Sequence, residues 1–227
     1  MYKQYTKTDL KKVLKKKDAW WTVLVIDRIA IPLTLFTANY LPFISPNTFT
    51  ILSLLVSLTA AYSFFNGHML QGVLLYELAF LFDCIDGKLA SLTQKQSLKG
   101  LWLDKIADKL RLFFNTVALS LKCCPLIGLT FVFLYLWDEI DAITYENMAI
   151  KNRKDKYDKI NKTTGLSGLL LKHRLALLPS AVEMDTLAFF IGPLTSIKAG
   201  FLAGILIALL RKLIIHFHFR MGNAFKE

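Results

Sequence analysis

Four aspartates stand at fixed intervals near the ends of two adjacent apolar segments: Asp83 and Asp86 are three residues apart, Asp104 and Asp108 four. At those spacings the members of each pair share one face of a helix. A carboxylate in such a place is costly unless it is paired, wetted or bound to a cation. Small residues accompany the acids. Gly87 and Ala90 follow Asp86, and Gly100 lies four residues before Asp104 on the same face, leaving room where a bulky side chain would block a nucleotide or a facing helix. Four hard oxygen donors from two helices suit one or two Mg²⁺ or Mn²⁺ ions, whereas zinc sites draw on His and Cys. Two such ions about 3.5 to 4 Å apart can stabilise both the attacking and the leaving oxygen of an in-line displacement at phosphorus. A phosphoanhydride substrate follows from that chemistry. Four helix-end carboxylates that merely cap or reach water would not explain the small residues beside them.

The elements that must hold these residues are membrane helices. Of the 227 residues, 54% are hydrophobic, and the mean hydropathy is +0.43, above the usual composition of soluble domains. A span needs roughly 20 mostly apolar residues. Candidate spans cover residues 47–66, 69–91, 100–122, 124–147, 182–197 and 199–219. Residues 20–41 form a seventh apolar run, interrupted by Asp27, Arg28 and Pro32. The net charge of +11, set between apolar runs, points to an anionic membrane surface, and nucleic acid is not expected as a partner. Cys84, Cys123 and Cys124 lack a metal-binding or disulfide spacing and are expected to be reduced. No cleavage site follows the first apolar run, so no removable signal peptide is expected.

Positive charge marks the cytoplasmic side. It clusters in residues 3–17, which hold seven lysines, at Lys88, Lys95 and Lys99, and in residues 151–174, with eight Lys or Arg. An even number of spans must separate clusters that share a side. Counting residues 20–41 would give an odd number between the first two, so that segment is expected to lie along the cytoplasmic interface with Pro32 bending the chain. The predicted architecture is an all-α integral membrane protein: an interfacial, amphipathic N-terminal arm over 1–46, then a six-helix catalytic domain over 47–227 with a basic cytoplasmic loop at about 149–180. Lys122 and Lys198 fall near the outer ends, where long side chains can snorkel. Lys105, Lys109 and Arg111 follow the acidic pattern, and most of them read as interfacial anchors.

The run Asp83-x-x-Asp86-Gly87-x-x-Ala90, then Gly100-x-x-x-Asp104-x-x-x-Asp108, resembles the signature of the CDP-alcohol phosphotransferase family, D-x2-D-G-x2-A-R-x8-G-x3-D-x3-D. Seven of its eight fixed positions match with both gap lengths kept. Pro46-Asn47-Thr48-Phe49-Thr50 resembles the P-N-x-x-T that often precedes that family's first span. The resemblance implies a six-helix membrane fold, a homodimer and a cytoplasm-facing active site. It also implies transfer of a substituted phosphoryl group from a CDP-alcohol donor to an acceptor alcohol, with release of CMP. By position it makes Asp83, Asp86, Asp104 and Asp108 ligands of two Mg²⁺ or Mn²⁺ ions, with Asp108 also the catalytic base. Asp83, Gly87, Ala90 and Gly100, with Asn47 and Thr50, would bind the nucleotide. One position departs: Ser91 stands where the signature has arginine, a cationic contact that Lys88 or Lys95 could replace.

Arg28, Arg174, Glu183 and Asp185 are ionisable groups near or within apolar segments, each a candidate for binding an acceptor polyol or phosphate, the arginines through paired contacts, or for an internal ion pair or an interfacial position. The rival class is a multi-pass cation transporter or channel with intramembrane aspartates. It accounts for acids in helices but not for Gly87, Ala90 and Gly100 at fixed offsets, and release of CMP from a CDP-alcohol discriminates the two.

Overall fold

Helix boundaries fall where the sequence supplies caps. In the computed structural model, which describes residues 4–152 and 166–224, α1 (Lys7–Val13) opens on a capping box in which Thr6 and Asp9 satisfy each other's backbone N–H groups. A π-helical turn over Thr22–Ile26 runs into α2 (Asp27–Tyr40). Ser45 caps α3 (Pro46–Phe65), whose first residue is proline, a position that needs no N–H. Gly67 takes φ +84° in the tight turn to α4 (Met69–Thr93). That helix stops at Gln94, which is left-handed. Ser97 accepts the Gly100 N–H at 3.0 Å and starts α5 (Leu98–Ser120). α6 (Pro125–Asn152) and α7 (Leu166–Lys172) follow. Next, α8 (Ala181–Asp185) continues through a π-helical stretch, Thr186–Ile191, into α9 (Gly192–Leu194). α10 (Ile197–Ala224) ends the described chain. Among the described residues there is no strand, only an isolated parallel bridge between Asp18 and Leu175. Residues 153–165 of the expected basic loop lie outside the described residues.

The helices assemble through small residues. α3 turns Thr50, Ser53, Ser57, Ala60 and Ala61 inward against α4 and α5, which lets the backbones approach closely in a medium that gives no hydrophobic drive between helices. Behind α4, Tyr76, Phe131, Phe189 and Phe201 stack as an aromatic core with centroids 4.7 to 6.2 Å apart. Gly192 and Gly200 let the helix before α10 cross it backbone to backbone. A Cβ on Gly200 would lie 2.5 Å from Leu187 O and 2.6 Å from Gly192 Cα. Gly200→Val is therefore expected to destabilise the detergent-solubilised protein by about 1 to 3 kcal/mol, read as a lower melting temperature, and an unchanged melting curve would contradict so close a crossing.

Outward, Ile51, Leu55, Leu74, Phe133, Leu206 and Leu213 are exposed, an apolar surface of the kind lipid covers. Two described stretches, Thr22–Tyr40 and Pro46–Phe65, are long and apolar enough to cross a membrane by length and composition. The other long helices carry charges that lower their mean hydropathy but turn them toward one another: Arg211 of α10 pairs with Asp138 of α6 at 3.0 Å, and Lys212 with Asp141 at 2.9 Å.

The turn after α3 and the turn after α5 share one end of the bundle, where Lys122 reaches the Phe65 carbonyl at 2.9 Å and sits over its ring. The opposite end gathers Lys95, which donates to the Pro42 carbonyl, and Arg174. α1 docks at that second end, with Leu10 buried beneath Ala38, Leu89 and Leu92. α2 runs alongside the C-terminal half of α4, Ile26 and Ala30 meeting Phe80, Leu81 and Ile85. Pro32, expected to bend the chain, lies inside a helix that continues to Tyr40.

Candidate active site

α4 and α5 are joined by only the residues between Thr93 and Leu98, so the two halves of the acidic pattern are forced side by side. The i, i+3 and i, i+4 spacings then turn the acids into the groove between these helices and α3. One carboxylate oxygen from each of Asp83, Asp104 and Asp108 lies within 4.8 Å of the others. Asp86 is buried beside them and accepts a 2.6 Å hydrogen bond from Thr50 of α3. Three of the four predicted ligands thus form one cluster, and the fourth is oriented by a hydroxyl. The cluster offers only oxygen donors, whose mutual repulsion favours positive charge among them. That donor set fits a hard divalent ion.

These side chains line a cavity of about 840 Å³ that also includes Asn47, Thr50, Gly87, Ala90 and Gly100. The two glycines serve different purposes. A Cβ on Gly87 would meet no atom within 4 Å, so its missing side chain adds to the open space of the cavity. A Cβ on Gly100 would stand 2.9 Å from the Asn47 side-chain oxygen, so this glycine admits Asn47 against α5. The predicted nucleotide residues are therefore gathered with the acids at one site. From the other side come Leu14, Lys15 and Asp18 of the arm and Tyr135, Glu139 and Asp185 of the later helices.

Arg111 corrects the reading of that residue as an interfacial anchor. It is 6% exposed and inserts among the acids, pairing with Asp108 at 2.6 Å and Asp83 at 3.3 Å, with Ser53 at 3.4 Å and the Phe80 ring 5.8 Å away. Its position three residues after Asp108 was the available signal, because Asp104, Asp108, Arg111 and Asn115 form one polar stripe. Asn115 is buried and donates to the Ser57 hydroxyl and the Arg111 carbonyl, both at 2.8 Å. Lys109 likewise points inward, ion-paired with Glu139 of α6, while Lys105 is exposed.

The candidate replacements for the missing motif arginine are engaged elsewhere. Lys88 pairs with buried Asp27 at 2.9 Å and donates to the Cys84 carbonyl. Ser91 meets Gln96 at 3.1 Å. Arg28 and Arg174 do not converge. Arg28 is exposed. Arg174 binds Asp27 at 2.9 Å, approaches Asp18 at 3.8 Å and donates to the Lys15 carbonyl, tying the arm to the segment before α8. Glu183 completes the capping box of α8 and accepts the Trp20 and Trp21 backbone N–H groups, a structural use of its charge.

The archaetidylinositol phosphate synthase of Pyrococcus horikoshii is 43% identical to this chain over 68 residues, which are 30% of this chain and 36% of that protein. The chain thus matches little more than a third of that relative's length. A family model of CDP-alcohol phosphatidyltransferases matches residues 43–215, a range that takes in α3, the whole acidic pattern and the far wall of the cavity. By that match the chain belongs to the membrane-embedded CDP-alcohol phosphatidyltransferase family.

Proposed function

We propose that this protein transfers a substituted phosphoryl group from a CDP-alcohol to an acceptor hydroxyl and releases CMP, in phospholipid or polyol-phosphodiester synthesis. The observation that carries the reading is the convergence of Asp83, Asp104 and Asp108 within 4.8 Å, beside the open space at Gly87. Asp83, Asp86, Asp104 and Asp108 would hold Mg²⁺ or Mn²⁺, two ions in the family pattern, which when bound supply charge neutralisation for the pyrophosphate and the departing CMP. The nucleotide sits over Gly87 and Ala90, flanked by Asn47 and Thr50. Thr50 also fixes Asp86, and Arg111 fixes Asp108.

In the transfer, the acceptor oxygen forms a bond to the β-phosphorus as the bond from that phosphorus to the CMP oxygen breaks. Asp108 takes the hydroxyl proton. Most of the acceleration then comes from holding the two substrates in line within a site whose charges are already oriented. The Pyrococcus relative is named for a lipid-linked inositol phosphate. We extend to this chain only the pairing of one lipid-linked partner with one polyol, and the homodimer expected from the family. The test is CMP release by purified protein given CDP-diacylglycerol or soluble CDP-alcohols, candidate acceptors and Mg²⁺ or Mn²⁺. Release that depends on both an acceptor and a divalent ion is expected. Cation flux through reconstituted protein without any CMP release would favour the channel reading instead.

For topology we propose six spans beginning at α3, with the acidic end of the bundle cytoplasmic. The spacing of the basic clusters supports leaving the helix Thr22–Tyr40 out of the count: residues 3–17 and Lys88, Lys95 and Lys99 share a side only if an even number of spans separates them. Cysteines introduced at Thr8 and Lys172, in a background lacking Cys84, Cys123 and Cys124, are expected to label from one side and a cysteine at His68 from the other. Labelling of Thr8 from the His68 side would mean that Thr22–Tyr40 crosses.

A further inference from the structure

The wall of the cavity that faces away from the motif helices is built by α6 and α8, and it carries a group that neither the fold nor the proposed transfer uses. Asp185 is the last residue of α8, where the helix widens into the π-helical stretch, a local rewinding that often re-aims a side chain at a functional site. One of its oxygens accepts a 3.1 Å hydrogen bond from the Tyr135 hydroxyl. The other, Oδ1, is buried and has no hydrogen-bond partner, although the residue borders the cavity. A buried carboxylate oxygen without a donor is an energetic loss that a bound molecule could recover.

The chemistry of that molecule follows from the surroundings. Two cations of the cavity wall already have partners: Lys109 is paired with Glu139, and Arg111 with Asp108 and Asp83. With Glu139 neutralised by Lys109, Asp185 is the carboxylate of this wall that lacks a cationic partner, and it disfavours the phosphorylated end of a substrate. It suits a neutral O–H donor. Resting on the transferase reading above, we propose that Asp185, oriented by Tyr135, binds a second hydroxyl of a polyhydroxylated acceptor whose reacting hydroxyl lies at Asp108. Both carboxylates border the same cavity, so one polyol can meet both. The site thereby selects acceptors with several hydroxyls over simple alcohols.

The test uses the full-length protein with inositol phosphate as the polyol probe and CDP as the nucleotide probe. In Asp185→Ala, and to a smaller degree in Asp185→Asn and Tyr135→Phe, the KM for inositol phosphate is expected to rise roughly ten- to a hundredfold, while the donor KM stays within a few fold. Thermal stabilisation by inositol phosphate should be lost in Asp185→Ala and stabilisation by CDP retained, which a merely structural residue would not produce. A polyol shift that survives in Asp185→Ala, a parallel loss of the CDP shift in the milder Asp185→Asn, or no shift with inositol phosphate in the wild type would overturn the proposal. If the wild type releases no CMP yet keeps an Asp185-dependent polyol shift, the transferase reading fails and the polyol site stands.

Discussion

Asp108→Asn is expected to lower CMP release by about a thousandfold or more, because one substitution removes both a negative oxygen from the cluster and, in the proposed mechanism, the proton acceptor. The asparagine keeps the shape of the side chain and one carbonyl acceptor for Arg111, so the bundle should still assemble. Membrane insertion and the elution profile of the solubilised protein should match the wild type. Asp83→Asn, Asp86→Asn and Asp104→Asn are each expected to come close to abolishing transfer as well, since on the proposed reading each takes a charge from a site that holds divalent cations against a polyanionic donor. Asp86 has a further role to lose, because Thr50 donates to it at 2.6 Å. EDTA should produce the same loss reversibly, with activity returning on addition of Mg²⁺ or Mn²⁺. Substantial turnover in any two of the four variants would refute the assignment of these aspartates as one metal site.

The convergence of the acids was readable because it depends on local spacing: three and four residues along a helix fix a common face, and a short connection forces the two helices together. The same local rule explains why the helix limits of α4 and α5 lie within a few residues of the expected spans. What the chain does not advertise is contact between distant segments. Arg111 is legible only when its offset from Asp108 is put ahead of the habit of reading a cation in an apolar helix as an anchor. Asn47 and Gly100 explain each other only once α3 is seen against α5. Arg174 was readable either as a phosphate ligand or as half of an internal ion pair, and its partner Asp27, 147 residues away in sequence, shows only in the fold. The arm illustrates the same limit. Its apolar stripe was visible, but nothing local said that Leu10 would bury itself under Leu89 and Leu92 at the end of the motif helix.

Arg111→Met is the substitution that most directly tests how the site is held when no divalent cation is bound. The guanidinium is enclosed, 6% exposed, and its charge partners are Asp83 and Asp108. Removing one member of a buried ion pair leaves the other uncompensated and costs about 3 to 5 kcal/mol. The methionine fills a similar volume beside Phe80, so the loss is chiefly one of charge. In EDTA the variant is therefore expected to melt well below the wild type. With saturating Mg²⁺ or Mn²⁺ part of that difference should disappear, because a bound cation supplies the charge that the arginine no longer does. Mn²⁺ should bind more tightly to the variant, whose site is more negative by one unit, while CMP release falls by roughly a hundredfold as Asp108 loses the contact that orients it. Arg111→Lys keeps the charge but not the two-pronged geometry, so it should restore stability in EDTA more fully than turnover. If Arg111→Met melts like the wild type in EDTA and binds Mn²⁺ no more tightly, the arginine is not the resident counter-charge of the aspartates. If instead both stability and Mn²⁺ affinity shift as described but turnover is untouched, Asp108 does not need the arginine to be oriented.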